Sequence, residues 1–198
     1  MLSSIHPFGE RSRDNSFGHT ATAHIVGSTI GGVALGALGA LVGLAFTALL
    51  NPSDAVRTIL LVAATGLAFF FEVTRSERLL PTRTRQVDEN WIQTYRGWVY
   101  GGGWGAELGF GISTIITTAL VHLLVVAMVL SSSPAIAVAL GALFGFVRGA
   151  TILGAARVDT PERLRELHRR LEDLRDRSRS GVLAALVLSM VIGLGAVL

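Results

Sequence analysis

Six residues carry the groups in this chain that hydrocarbon tolerates least: Glu72, Glu107, Thr114, Thr118, His122 and Arg148, all inside or at the edge of long apolar runs. An unpaired charge at the centre of a bilayer costs on the order of 3 kcal/mol even by the lenient insertion scale. Such residues therefore mark either a pathway for a solute, ion or proton, or a polar seam between helices. On an uninterrupted helix Glu107, Gly111, Thr114, Thr118 and His122 fall within about 80° of arc. Ile112, Ile116, Ala119, Leu123 and Ala127 of the same run lie opposite, so the polar face looks into protein or water and the apolar face at lipid. On the pathway reading, Glu107 is an inner gate or proton-linked carboxylate, and Thr114 and Thr118 form a hydrogen-bonding wall. Arg148 attracts anions, and His122 makes an outer-side proton or ligand contact. On the seam reading Arg148 bends to clasp Glu107 or Glu72, and the hydroxyls bond to the carbonyl one turn back.

Composition defines what must hold these residues. The chain has 198 residues, 51% of them hydrophobic and only 16% charged, where a soluble domain carries about 25% charged residues. The fold class is all-α, a polytopic transmembrane helix bundle. With no cysteine, disulfides and thiolate metal sites are excluded. All basic residues are arginine, and the net charge of +3 resides in loops rather than in a nucleic-acid groove. No nucleophile and base stand at a recognisable spacing, no aspartate falls within a span and no zinc-protease pattern occurs. The chain is therefore read as a non-enzyme without a metal or cofactor.

About 20 apolar residues cross a bilayer, and five runs approach that length. Residues 1–23 read as a polar N-terminal tail and 24–73 as a first transmembrane hairpin. An Arg-rich cytoplasmic linker follows at 74–98, then a second hairpin at 99–156, an amphipathic helix at 157–180 and a C-terminal span at 181–198. Pro52 and Pro134 punctuate the outer turns, and Pro81 and Pro161 the inner linkers, so the two hairpins read as parallel repeats. Arginine in both linkers places them in the cytoplasm of a bacterial plasma membrane, with the N-terminus inside and the C-terminus outside. The first run is too long for a signal peptide.

Glycines at helical spacing predict close packing. Gly32, Gly36, Gly39 and Gly43 form one stripe, and Gly141, Gly145 and Gly149 another; both let a second backbone approach. Thr160 and Pro161 predict a helix start, after which Leu164, Leu167, Leu171 and Leu174 share one face. That face suits the lipid surface, a second copy or another subunit through residues 160–179.

At "GFGISTIITTAL" and "GFVRGA" the chain resembles the polytopic membrane proteins grouped as CcdA/DsbD-like and LysE-type, over about residues 99–156. The resemblance implies repeated helical units whose first helix is interrupted near mid-membrane. It lacks the Pro-Cys pair that would stand near Thr117 and Thr118, which implies a cysteine-less relative with a transport-like or accessory role instead of electron relay. Two functions follow: a small-solute or ion permease-like component, or a non-transporting subunit or assembly factor of a larger complex.

Overall fold

The computed structural model describes residues 4–76, 90–111 and 118–195, without the side chains of residues 175 and 176. These residues form helices and no strand. They are α1 (Pro7–Arg11), α2 (Phe17–Leu50), α3 (Asp54–Thr74), α4 (Trp91–Thr94), α5 (Gly97–Phe110), α6 (Ala119–Leu130), α7 (Pro134–Ala150) and α8 (Pro161–Gly195), with a 3-10 turn at Thr151–Ala155. Four segments are long and apolar enough to cross a membrane: Phe17–Leu50, Asp54–Thr74, Pro134–Ala155 and Arg177–Gly195.

Local chemistry explains the helix ends. α2 stops where Asn51 adopts a left-handed conformation, φ 40°, and Pro52 prevents continuation. The Ser53 hydroxyl caps α3 by accepting from the Val56 amide at 3.4 Å, and Pro134 occupies the first turn of α7. Thr160 accepts from the Arg163 amide at 3.4 Å to start α8.

The run 99–130, read as a single span, is two shorter helices. Gly111 takes φ +71° after Phe110, a conformation that carries no penalty in glycine and ends the helix. α5 and α6 have 14 and 12 residues, so neither has the length of a span by itself. The wheel that joined Glu107 to His122 accordingly does not exist as one helical face.

Two further expectations change. Residues 4–23 are not a free tail, because α2 already begins at Phe17 and both Ile5 and Glu10 are fully buried. The amphipathic helix and the last span are not separate elements either, since α8 runs unbroken for 35 residues. At 1.5 Å per residue it is about 52 Å long, well beyond the ~30 Å of hydrocarbon.

α2 is the centre of the bundle. α5 packs on one of its faces, α7 on another, and α6 along its C-terminal half. α3 packs mainly on α6 and α8 instead of lying along α2 as its hairpin partner. The core falls into three clusters: Tyr100 and Trp104 with Ile5 and Ala21, Leu35 and Met128 with Ala137, and Leu186 with Ala68 and Ala119.

Candidate functional site

The glycine seams set the spacing that every charged group must obey. A Cβ on Gly32 would overlap the carbonyl oxygen of Gly141, and one on Gly141 would overlap that of Gly32. Gly36 would meet the Ala137 oxygen at 2.5 Å, Gly43 the Val129 oxygen at 2.5 Å, and Gly39 the Met128 Cβ at 2.8 Å. The stripe therefore divides, Gly32 and Gly36 serving α7 while Gly39 and Gly43 serve α6. Gly145 and Gly149 lie against Ser28, whose hydroxyl donates to the Gly145 carbonyl at 2.6 Å. A second seam closes the other face, with Gly27 and Gly31 of α2 against the Gly102 and Ala106 carbonyls of α5, and Gly105 and Gly109 of α5 against the His24 and Ser28 carbonyls of α2.

Helices this tightly packed leave buried ends, and an end leaves amides or carbonyls without intrahelical partners. Charged side chains from neighbouring helices meet them. Glu72, 4% exposed, accepts from the Thr118 hydroxyl and from the Ala119 amide at 2.8 Å. Its carboxylate thus sits at the positive end of the α6 dipole. Arg57 reaches the opposite end of α6, donating to the Leu130 carbonyl at 3.2 Å and to the Thr47 hydroxyl at 2.7 Å. One helix, α3, therefore brackets α6 with an anion at its N-terminus and a cation at its C-terminus. The C-terminus of α3 is served in turn by Arg179 of α8, which donates to the Glu72 and Val73 carbonyls at 2.5 and 3.3 Å.

Arg148 behaves comparably at the end of α5. Its guanidinium carbon lies 5.2 Å from the centre of the Phe144 ring, a cation–π contact. Its Nη1 points toward Gly111, 3.7 Å from where a Cβ would sit. That is the negative end of the α5 dipole. Nη1 itself is buried without a hydrogen-bond partner among the described residues. The expected clasp to Glu107 or Glu72 is not formed: ion pairs among the described residues join Arg13 to Glu10, Arg163 to Asp159, and Glu166 to Arg169 and Arg170.

Of the sequence candidates, then, the structure brings Thr118 and Glu72 together and sets Arg148 beside the break. Glu107 is half-buried on α5, and His122 is half-buried on the separate helix α6. Thr114 lies outside the described residues. Arg57, Arg179 and Glu10 are the polar residues that sequence reasoning missed. Glu10 is buried and accepts from Arg13, Thr20 and Tyr100 at 2.6, 2.8 and 2.6 Å, tying the N-terminal segment to α2 and α5. A carboxylate followed at i+3 by arginine was the available signal, but nothing in sequence announces Tyr100 across 90 positions. His24 is buried with its Nδ1 3.2 Å from the Gly101 carbonyl. Among the described residues no group of three His, Asp or Glu side chains could hold a metal. A cavity of about 310 Å³ between α3, α6 and α8 is lined by residues such as Leu61, Val62, Leu123 and Leu124, with Thr58, Thr65 and Ser189 its polar residues. Among the described residues no charged side chain lines it.

Fold and site together define an apolar, helical, membrane-embedded protein. Its sequence is 32% identical over 153 residues to the methylamine utilization protein MauF of Paracoccus versutus, an alignment that covers 74% of this chain and 54% of the relative. The chain thus spans about half the length of the curated relative it matches. No family model matches the chain and no solved structure matches it.

Proposed function

We propose that this chain is a non-transporting membrane subunit or assembly factor of a larger complex in a bacterial plasma membrane. The observation that carries this reading is the use of its charges. Glu72, Arg57 and Arg179 are hydrogen-bonded to the ends of α6 and α3, and the cavity between α3, α6 and α8 has no charged side chain among the described residues that line it. A solute pathway needs polar groups facing water; these face helix termini. Similarity to a methylamine utilization protein supports a role for this chain in that process. The interruption at Gly111 is of the kind that the CcdA/DsbD-like and LysE-type resemblance implies, and it supports that kinship. Arginine-rich linkers support an N-terminus in the cytoplasm.

The test is purification of the native chain from its own membranes in mild detergent. A stoichiometric partner chain is the expected result. Arg148, with one buried nitrogen lacking a hydrogen-bond partner among the described residues, is the specific observation favouring the second reading, a permease-like component. Purification of the chain alone, together with loss of solute uptake or efflux in a folded Arg148→Leu variant, would replace the first reading by the second.

A further inference from the structure

Residues 161–178 of α8 extend beyond the point where Arg179 binds the last carbonyls of α3. On this stretch Leu164, Leu167, Leu171 and Leu174 recur at intervals of three and four, one seam of a heptad pattern. Leu171 and Leu174 are 41% and 50% exposed. The charges beside this seam are sorted by sign. With Leu164 taken as position a, the flanking e and g positions hold Arg163, His168, Arg170 and Arg177. Glu162, Glu166, Glu172 and Asp173 all fall at b, c or f, away from the seam. Among the described side chains no acid flanks the leucines.

That sorting decides between occupants. A second copy would set arginine against arginine, since e and g residues face one another across a helix pair in either orientation. A bilayer surface fails for a different reason. α8 continues without a break into its membrane-crossing half, and a straight helix that crosses a bilayer cannot also lie in its plane without a kink. What fits is an apolar ridge with acidic borders. The exposed pairs of Arg163 with Asp159 and Arg170 with Glu166 contribute little to stability and exchange readily for partner carboxylates.

Resting on the subunit reading above, we infer that the leucine face of residues 161–178 is the docking site for an amphipathic helix of a partner subunit whose flanking charges are acidic. The leucines supply the buried area and the arginine borders supply selectivity and association rate.

The test uses the full chain in discs of zwitterionic lipid and a labelled synthetic helix of about three heptads, leucine along its seam and glutamate at its flanks. Binding is read by fluorescence anisotropy against the same helix with lysine flanks. The glutamate helix binds more tightly by about tenfold or more, and added salt narrows the gap. Arg170→Glu with Arg177→Glu reverses the preference, while Leu171→Asp with Leu174→Asp abolishes binding of both helices with the bundle's helicity and monodispersity intact. Equal binding of the two helices overturns the inference. So does an interchain disulfide formed by Leu171→Cys without peptide, which would make a second copy the occupant, and so does quenching of a label at position 171 by anionic vesicles, which would make it lipid. A native partner that stays bound to the Leu171→Asp, Leu174→Asp chain also overturns it while leaving the subunit reading intact. Absence of any native partner from the wild-type chain defeats that reading instead.

Discussion

α2 and α8 are nearly equal in length, 34 and 35 residues, and are held in opposite ways. α2 buries six glycines, Gly27, Gly31, Gly32, Gly36, Gly39 and Gly43, with Gly36 and Gly43 meeting carbonyls at 2.5 Å where a Cβ would stand.

 The glycines of α8 are otherwise placed: Gly181 and Gly195 have nothing within 4 Å of a Cβ position, and Gly193 touches the Val62 side chain. α8 is held at the bundle by Arg179 on the end of α3 and by Leu186 against Ala68 and Ala119. Helix length and apolarity thus decide entry into a membrane, while small residues and end-capping charges decide what a helix holds once there.

The sharpest way to break this contrast is to fill the seams. Gly32→Leu or Gly145→Leu drives a side chain into opposing backbone, which cannot rotate away. Each should destabilise the bundle by about 3 kcal/mol or more, seen as loss of monodisperse protein and a lower thermal midpoint in detergent. Gly181→Ala should instead be neutral or stabilising by up to about 1 kcal/mol, because alanine favours a helix and meets nothing there. Equal losses from Gly32→Ala and Gly181→Ala would remove the distinction between the two helices.

The caps come next. Glu72→Leu leaves the Ala119 amide and the Thr118 hydroxyl unsatisfied, at a cost of about 1–3 kcal/mol. Faster hydrogen exchange at the first amides of α6 would report it, and Glu72→Gln, which keeps an acceptor oxygen, should recover part of the protection. Arg57→Leu acts at the other end of α6 and should cost about 1 kcal/mol, with fraying confined to the residues before Ser131. Exchange unchanged in both variants would mean that α3 does not bracket α6.

The smallest effect lies on the projecting part of α8. The hydrogen bond from Arg170, reinforced by the charge of Arg169, lowers the Glu166 pKa. The pairing is complete above the ordinary carboxylate pKa and is lost as pH falls through the lowered value in the folded chain. Titration from about pH 7 to about pH 3 should therefore loosen the helix around Glu166 slightly while the glycine-packed bundle keeps its signal. A larger change in α2 than in α8 would contradict the comparison.

Much of this was legible in the residues themselves. Apolar runs marked the membrane helices, and Pro52, Pro134, and Thr160 with Pro161 marked ends that the structure places within a residue or two. An interruption was implied by the resemblance, but its position at Gly111 was not legible, because a glycine within an apolar run is equally consistent with a packing position and with a left-handed turn. That ambiguity misled the reading of Glu107 and His122 as neighbours on one face. The partners of Glu72, Arg57 and Arg179 were likewise hidden, since each lies tens of positions away in the chain.

The sequence by itself determined an all-helical membrane protein with glycine seams, and a leucine ridge bordered by arginine, because hydropathy, residue size and helical period are local properties. Only the tertiary structure decided which helix each glycine meets, that Glu72 and Arg57 bracket α6, and that the ridge is continuous with a membrane helix. Those outcomes depend on which buried helix ends need a charge and which side chain is near enough to supply it, a question settled when the helices pack.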